Sequence, residues 1–352
     1  MLPAFVERYD VALSCRTIAP PDSDAVSQPG LYRDWELADA MKLAQVHGLE
    51  VPRVAATEVD AAHGRLEGLD GLDYVEAARE LGARLFAGEA VTGEAAEAST
   101  LDANLARLHG AGHYLPGVLS YAGEHYWSVG RLPLLERRLE ALGAGEGSSS
   151  STRSPTPVSG RCLEVWLSAR SPYSYLAISR IEAIVAEHDL ELIVRPILPM
   201  VMRGIPAPRR KRFAILFDAA REAMDLCVPF GRICDPLGPG VERVLAICPL
   251  AEREGLSLTW LNSAMTGIWA EGIEVAEDAG LQQVVERAGL DWAQAEEALA
   301  DDSWRAMVEA NRQALMAEGL WGVPSFKLSG PGTWTAWGQD RLWILRAALE
   351  AS

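Results

Sequence analysis

Ser171-Pro172-Tyr173-Ser174-Tyr175-Leu176-Ala177 decides the fold of this chain. The heptapeptide follows a short run, Cys162 to Leu167, in which Leu163, Val165 and Leu167 alternate with Glu164 and Trp166, a strand pattern. It opens a helical pattern from Pro172 to Glu187, with Leu176, Ile178, Ile181, Ile184 and Val185 at three- and four-residue steps. Ser171-Pro172 reads as a helix start, serine as N-cap and proline in the first turn. The same geometry favours an anion, because free N–H groups and the positive dipole end converge there. Two hydroxyls, Ser171 and Ser174, stand where a redox protein of this layout carries Cys-x-x-Cys. A thiol-handling site is kept while the chain's own thiols are removed, which predicts a thiol borrowed from another molecule.

Downstream, Leu190 to Ile197 reads as a second strand. A long helical region follows from about Arg209 to Glu318, punctuated at Pro229, Pro236, Pro239, Pro249 and Gly280. Strands are predicted at Ser325 to Leu328 and near Thr333 to Trp337, and a last helix from about Asp340 to Leu349. The order βαβ, helices, ββα predicts an α/β thioredoxin-type fold with a helical insertion at about 209–318.

Upstream, Gly143 to Gly160 reads GAGEGSSSSTRSPTPVSG, without apolar periodicity, and is predicted to be a linker. It separates a domain at 1–142 from one at 161–352. Tyr114-Leu115-Pro116-Gly117-Val118-Leu119 matches Gly322-Val323-Pro324-Ser325-Phe326-Lys327, and Gly130 lies as far from Pro116 as Gly338 from Pro324. Tyr9 to Ser14 matches His188 to Ile193, the start of the second strand. The first half is therefore expected to be a degenerate, truncated thioredoxin-like domain lacking the Ser171 segment.

Composition removes several function classes. A formal net charge of -17 over 352 residues argues against nucleic acid as a partner. No apolar run approaches the ~18 residues of a membrane helix, and Met1 to Arg8 lacks a basic head with a continuous apolar stretch, so a cytoplasmic location is expected. The cysteines, Cys15, Cys162, Cys227, Cys234 and Cys248, form no Cys-x-x-Cys pair, and His188 is the sole histidine of the second half, so no metal is expected there. His188 sits at the far end of the helix from Ser171, roughly 25 Å away at 1.5 Å per residue, which excludes a Ser–His pair. His109, His113 and His125 have loose metal-like spacing, broken by two glycines, and read as loop and core. Arg209-Arg210-Lys211-Arg212 reads as a solvated basic face.

Two further segments converge with Ser171 in this layout. Val323-Pro324 falls where a cis proline would leave the Val323 backbone free to pair with an extended peptide. Gln339-Asp340, after Trp337-Gly338, opens the last helix; as a cap, Asp340 offsets the dipole.

In this order and spacing, the segment 171–177, Arg195-Pro196-Ile197-Leu198, Pro229-Phe230, Trp269-Ala270-Glu271-Gly272, Gly322 to Phe326 and Trp337 to Leu342 resemble the 2-hydroxychromene-2-carboxylate isomerase and kappa-class glutathione transferase family, relatives of the DsbA oxidoreductases. The resemblance covers roughly Arg161 to Leu349. It implies a glutathione-dependent isomerase or transferase acting on an aromatic or conjugated electrophile, with glutathione as bound co-substrate. It implies that Ser171 stabilises the glutathione thiolate, that Val323 before cis Pro324 pairs with the glutathione backbone, and that Asp340 with Gln339 holds the γ-glutamyl end. Tyr173 and Arg203 are the candidate substrate contacts, and Trp260, Trp269 and Trp304 a candidate apolar wall. Two departures weaken the isomerase substrate: Ser168 replaces a common acidic residue, and the loop 200–206 is short, with Arg203 its cation. Relatives of this type pair, so a homodimer or a pseudo-dimer of the two halves is expected. The alternative is a non-catalytic thioredoxin-like binding or scaffold protein.

Overall fold

A computed structural model describes residues 2–21, 26–56, 58–145, 161–330 and 333–350. Two compact units divide the chain: Met1–Thr152 with Pro208–Ala214, and Arg153–Ala207 with Ile215–Ser352. Residues 146–160 of the expected linker lie outside the described residues.

The first unit contains α1 (Leu2–Tyr9), α2 (Pro29–Val46), α3 (Asp60–Leu66), α4 (Gly71–Phe86), α5 (Ala98–Gly110), the antiparallel hairpin β1 (Val118–Tyr121) and β2 (Glu124–Trp127), and α6 (Leu132–Glu140). The stretch 9–14, predicted as a strand, is not one: α1 ends at Tyr9 and the chain continues without a sheet partner. Side chains satisfy part of its backbone instead, Asp70 accepting the Cys15 N–H at 2.5 Å and Asn104 donating to the Thr17 carbonyl at 2.9 Å.

What recurs between the halves is a helix end. Asp10 and Asp189 both have φ 49, and the next N–H reaches back five residues, Val11 to Val6 O at 3.4 Å and Leu190 to Val185 O at 3.2 Å. The hairpin-to-helix end also recurs, each hairpin running into a short 3-10 turn, Val129–Arg131 or Gln339–Arg341, before the last helix of its half. Here the register differs from the sequence match. Ser128, with φ 65 and its N–H on Gly117 O, occupies the place of Gly338, with φ 111 and its N–H on Pro324 O. Gly130 lies two residues beyond. Tyr9, Tyr126, Leu135 and Leu139 form a small core with Phe5, Val11 and Leu119.

The second unit carries β3 (Cys162–Leu167), α7 (Pro172–His188), β4 (Glu191–Pro196), most of α8 (Arg209–Asp225), α9 (Pro239–Arg253), α10 (Ser257–Thr266), α11 (Asp278–Arg287), α12 (Trp292–Leu299), α13 (Trp304–Ala317), β5 (Ser325–Ser329), β6 (Trp334–Trp337) and α14 (Leu342–Glu350). The sheet order is β4-β3-β5-β6, with β3 parallel to β4 and antiparallel to β5, and β5 antiparallel to β6. This is a mixed α/β, thioredoxin-type sheet, with its helical insertion between β4 and β5. Leu163, Val165 and Phe326 from the sheet and Leu176, Ile178, Ile181 and Leu345 from α7 and α14 are fully buried, the apolar stripes that the sequence spacing placed on those faces.

Trp260 is fully buried and donates its indole N–H to Val244 O. Trp269, nearly buried, donates to Ala169 O; Trp304 is 3% exposed beneath Arg305. All three are core side chains rather than the apolar wall predicted for them, and the buried indole N–H groups of Trp260 and Trp269 find backbone acceptors. Among the described residues no helix is long and apolar enough to cross a membrane.

Candidate functional site

Ser171 caps α7. Its Oγ accepts the Ser174 N–H at 3.2 Å, and its own N–H bonds Ser168 O at 2.9 Å. The Ser171 hydroxyl also reaches the Val323 carbonyl oxygen at 3.5 Å, across 152 positions of sequence. β3 and β5 are sheet neighbours, so the loop after the first and the loop before the second meet at one end of the sheet. The Val323–Pro324 peptide bond is cis, the only cis bond among the described residues. The Val323 N–H has no hydrogen-bond partner among them, leaving the donor of that backbone edge open. Gly322 is required beside it: a Cβ there would collide with the Trp337 indole, which packs against Trp321 at 4.7 Å.

The floor beneath Ser171 consists of hydroxyls. Ser174 is fully buried and its Oγ accepts the Ser168 N–H at 3.3 Å. Ser168 is 1% exposed and its Oγ has no partner. Around this floor, Arg170 holds Asp235 through two bonds of 2.6 and 2.7 Å, and the Tyr173 phenol donates to Asp218 Oδ2 at 2.7 Å. Tyr175 donates to Pro229 O and stacks on Phe230, which stacks on Trp269 with rings 5.8 Å apart and 8° from parallel. Burial pushes the Tyr175 phenol up from its ordinary value.

The expected γ-glutamyl contacts divide. Gln339 is 1% exposed and fully engaged: its Oε1 accepts from Arg180 Nη1 at 2.5 Å, and its Nε2 donates to Glu222 Oε2 at 2.6 Å. It ties α7, α8 and the turn before α14 together and presents no free amide. Asp340 pairs with Arg341 at 2.8 Å while its side chain remains 15% exposed, and a Cβ at Gly338 would strike its carboxylate. Arg203 donates Nη2 to the Trp321 carbonyl at 3.0 Å; its Nε is buried without a partner. Burial, helped by Arg312, lowers the Arg203 pKa to about 10.

Sequence reasoning missed Arg180, Asp218 and Glu222. Asp218 and Glu222 stand four apart on α8, the first meeting Tyr173 of α7 and the second Gln339 of the turn before α14, a spacing that gains meaning only once those partners are known. The basic run 209–212 is not wholly solvated: Lys211 is 7% exposed, lies over the Tyr114 ring at 5.7 Å, and burial lowers its pKa. His125 is spent on Ser120 Oγ and Ala111 O, and His113 Nδ1 lies on Leu115 O. No metal-binding cluster occurs among the described residues. A cleft of about 350 Å³ in the first unit is lined by Cys15, His63, Tyr74 and Asn104, but Tyr74 is bonded to Thr17 Oγ1 and Asn104 to Thr17 O.

Solved structures similar to this chain include a 2-hydroxychromene-2-carboxylate isomerase (21% identity, 53% of this chain and 94% of that one, TM-score 0.46). A putative protein disulfide isomerase from Nitrosomonas europaea matches at 16% identity over 54% of this chain and 98% of that one, TM-score 0.43. The cytosolic disulfide reductase DsbM from Pseudomonas aeruginosa matches at 21% identity over 54% and 100%, TM-score 0.42. No curated protein matches the chain. Residues 162–350 match the DSBA-like thioredoxin domain. The chain belongs to the DSBA-like thioredoxin domain family.

Proposed function

We propose that the second unit is a glutathione-dependent isomerase or transferase acting on an aromatic or conjugated electrophile, of the 2-hydroxychromene-2-carboxylate isomerase kind. The observation that carries this reading is the meeting of the Ser171 hydroxyl, at the N-terminus of a 17-residue helix, with Val323, whose N–H is left without a partner among the described residues. An extended thiol peptide lying along Val323 would bring its sulfur to that helix end, where N–H dipoles and the Ser171 hydroxyl favour a thiolate. Serine at both 171 and 174 removes the nucleophilic and resolving thiols that disulfide exchange requires. The bound thiolate adds to an electrophilic carbon; after bond rotation it leaves again in an isomerase, or the adduct is released in a transferase. Arg203, desolvated and bonded to a carbonyl rather than a carboxylate, suits an anionic group on the substrate. Asp340 is the candidate for the γ-glutamyl amine, and Tyr173 borders the sulfur position. A related fold has been solved with GSH, the disulfide reductase DsbM.

A second reading, a non-catalytic binding module, is favoured by one observation: Gln339, a contact expected for glutathione, is consumed by Arg180 and Glu222. Calorimetry with glutathione on the full chain, followed by turnover of an activated chloronitrobenzene and a chromene carboxylate, separates the readings. Binding with turnover is expected. Absence of heat at millimolar glutathione with folded protein rejects the enzyme, and binding without turnover of either compound favours the module.

A further inference from the structure

We propose that Arg180 is a positioning residue of the thiol site, fixing through Gln339 the turn that holds the Pro324 carbonyl and, with it, the direction of the Val323 N–H. This rests on the reading of Val323 as the residue along which a thiol peptide lies, and it names what aims that donor. Arg180 lies on α7 two and a half turns beyond Ser171, roughly 13 Å along the axis, so it does not touch the sulfur position. Its Nη1 donates to the Gln339 carbonyl at 3.2 Å and to Gln339 Oε1 at 2.5 Å. The turn Gln339–Arg341 follows directly on Gly338, whose N–H donates to the Pro324 carbonyl at 2.9 Å. The α7 helix therefore grips the Val323–Pro324 segment twice. Ser171 meets the Val323 carbonyl at 3.5 Å, and Arg180 acts through the turn.

The first half of the chain shows that the turn does not need this clamp to form. There Ser128, in the place of Gly338, donates its N–H to Gly117 O at 2.9 Å, and the 3-10 turn Val129–Arg131 follows. The residue in the place of Gln339 is Val129, 38% exposed, with no amide to be held. The last residue of the turn is a buried arginine in both halves, Arg131 and Arg341. The clamp on the first turn residue is thus what distinguishes the half that carries Ser171. It is also costly to build. Gln339 and Glu222 are buried, and burial lowers the Arg180 pKa against the pull of Glu222 and Asp340. A desolvated charge cluster that the turn itself does not require serves geometry.

What the clamp supplies is direction. A hydrogen bond weakens steeply as its donor swings off line. The Val323 N–H has no partner among the described residues, so only the anchors of its segment set where it points. Without Arg180 the turn keeps its Gly338 bond, as the first half keeps its own, but loses this tie to α7. Ser171 keeps its cap, which is made within α7 by the Ser174 N–H. The loss therefore falls on the contact with the peptide backbone and not on the thiolate.

The test uses the full chain with an activated chloronitrobenzene and two thiols, glutathione and 2-mercaptoethanol, which has no peptide backbone. Wild type, Arg180→Met and Arg180→Lys are compared, each checked for folding by thermal melt. In Arg180→Met the KM for glutathione is expected to rise about fivefold to tenfold, which is what one misdirected backbone hydrogen bond contributes, while kcat at saturating glutathione stays within about twofold. The preference for glutathione over 2-mercaptoethanol, as a ratio of kcat/KM values, should fall by the same factor. A merely structural loss would lower the rates with both thiols alike and leave the ratio unmoved. Arg180→Lys keeps the charge but replaces the planar guanidinium by a hydrated point donor, so the preference should fall by about threefold. An unmoved ratio in folded Arg180→Met overturns the positioning role and leaves the glutathione reading intact. Should Arg180→Met misfold, an unmoved ratio in Arg180→Lys does the same. Wild type that fails to bind glutathione, or shows no preference for it, overturns both.

Discussion

Replacing Ser171 tests the site most directly, because one side chain both caps a helix and faces the proposed thiolate. Ser171→Ala removes the bond to the Ser174 N–H, and loss of such a cap costs about 1 kcal/mol. For a domain of this size that lowers Tm by about 2–4 °C. It also removes the hydroxyl that reaches toward Val323. A hydrogen bond to a charged group contributes about 1.5–3 kcal/mol, which raises the bound thiol's pKa by about 1–2 units and lowers turnover about 10- to 100-fold near neutrality. Ser171→Asp separates the two roles. Aspartate caps as well as serine and suits the helix dipole, so Tm should match or exceed that of wild type. Its carboxylate at about 4 Å from a thiolate costs about 4 kcal/mol at an effective dielectric of 20, so turnover should fall at least 100-fold. The assay pairs thermal melts with glutathione-dependent turnover of an activated chloronitrobenzene. An aspartate variant that is stable and still turns over at the wild-type rate refutes the thiolate site at the α7 N-terminus.

Gln339→Leu should destabilise the second unit by about 3 kcal/mol in urea unfolding, because Arg180 and Glu222 would each lose a buried partner; a change below about 1 kcal/mol removes its structural role. His188→Leu should raise stability by about 1 kcal/mol, since the imidazole is fully buried with neither nitrogen bonded; a destabilised variant would contradict this. Burial pushes the Cys248 thiol up from 9.0 to about 12. The folded state therefore resists ionisation that the unfolded state undergoes, so its contribution is complete below pH 9 and declines as pH rises toward 12, by about 1.4 kcal/mol per pH unit. In Cys248→Ala that component of the alkaline decline should vanish; identical pH profiles for the two proteins would contradict it.

Much of the second unit was legible in one dimension. Strand alternation at 162–167, the apolar stripe of α7, the Ser-Pro start and the insertion between β4 and β5 follow from periods and caps that act within a few residues. The first unit was legible only at its ends. The stretch 9–14 has strand-like residues, yet a strand forms only with a neighbour, and none pairs with it. At the site, Gln339 illustrates the limit. An exposed glutamine at a helix start and one clamped between Arg180 and Glu222 look alike in sequence.

The sequence by itself determined the family, the serine pair in place of a thiol pair, and the α/β order, because these depend on residue identity and local spacing. The tertiary structure alone decided that Ser171 lies 3.5 Å from the Val323 carbonyl, that Gln339 is structural, that the three tryptophans are core, and that Asp218 stands behind Tyr173. The contacts of Tyr173 with Asp218 and of Ser171 with Val323 join residues 45 and 152 positions apart. Packing, not local preference, determines which distant groups share a desolvated volume, and there their charges and hydrogen bonds acquire their roles.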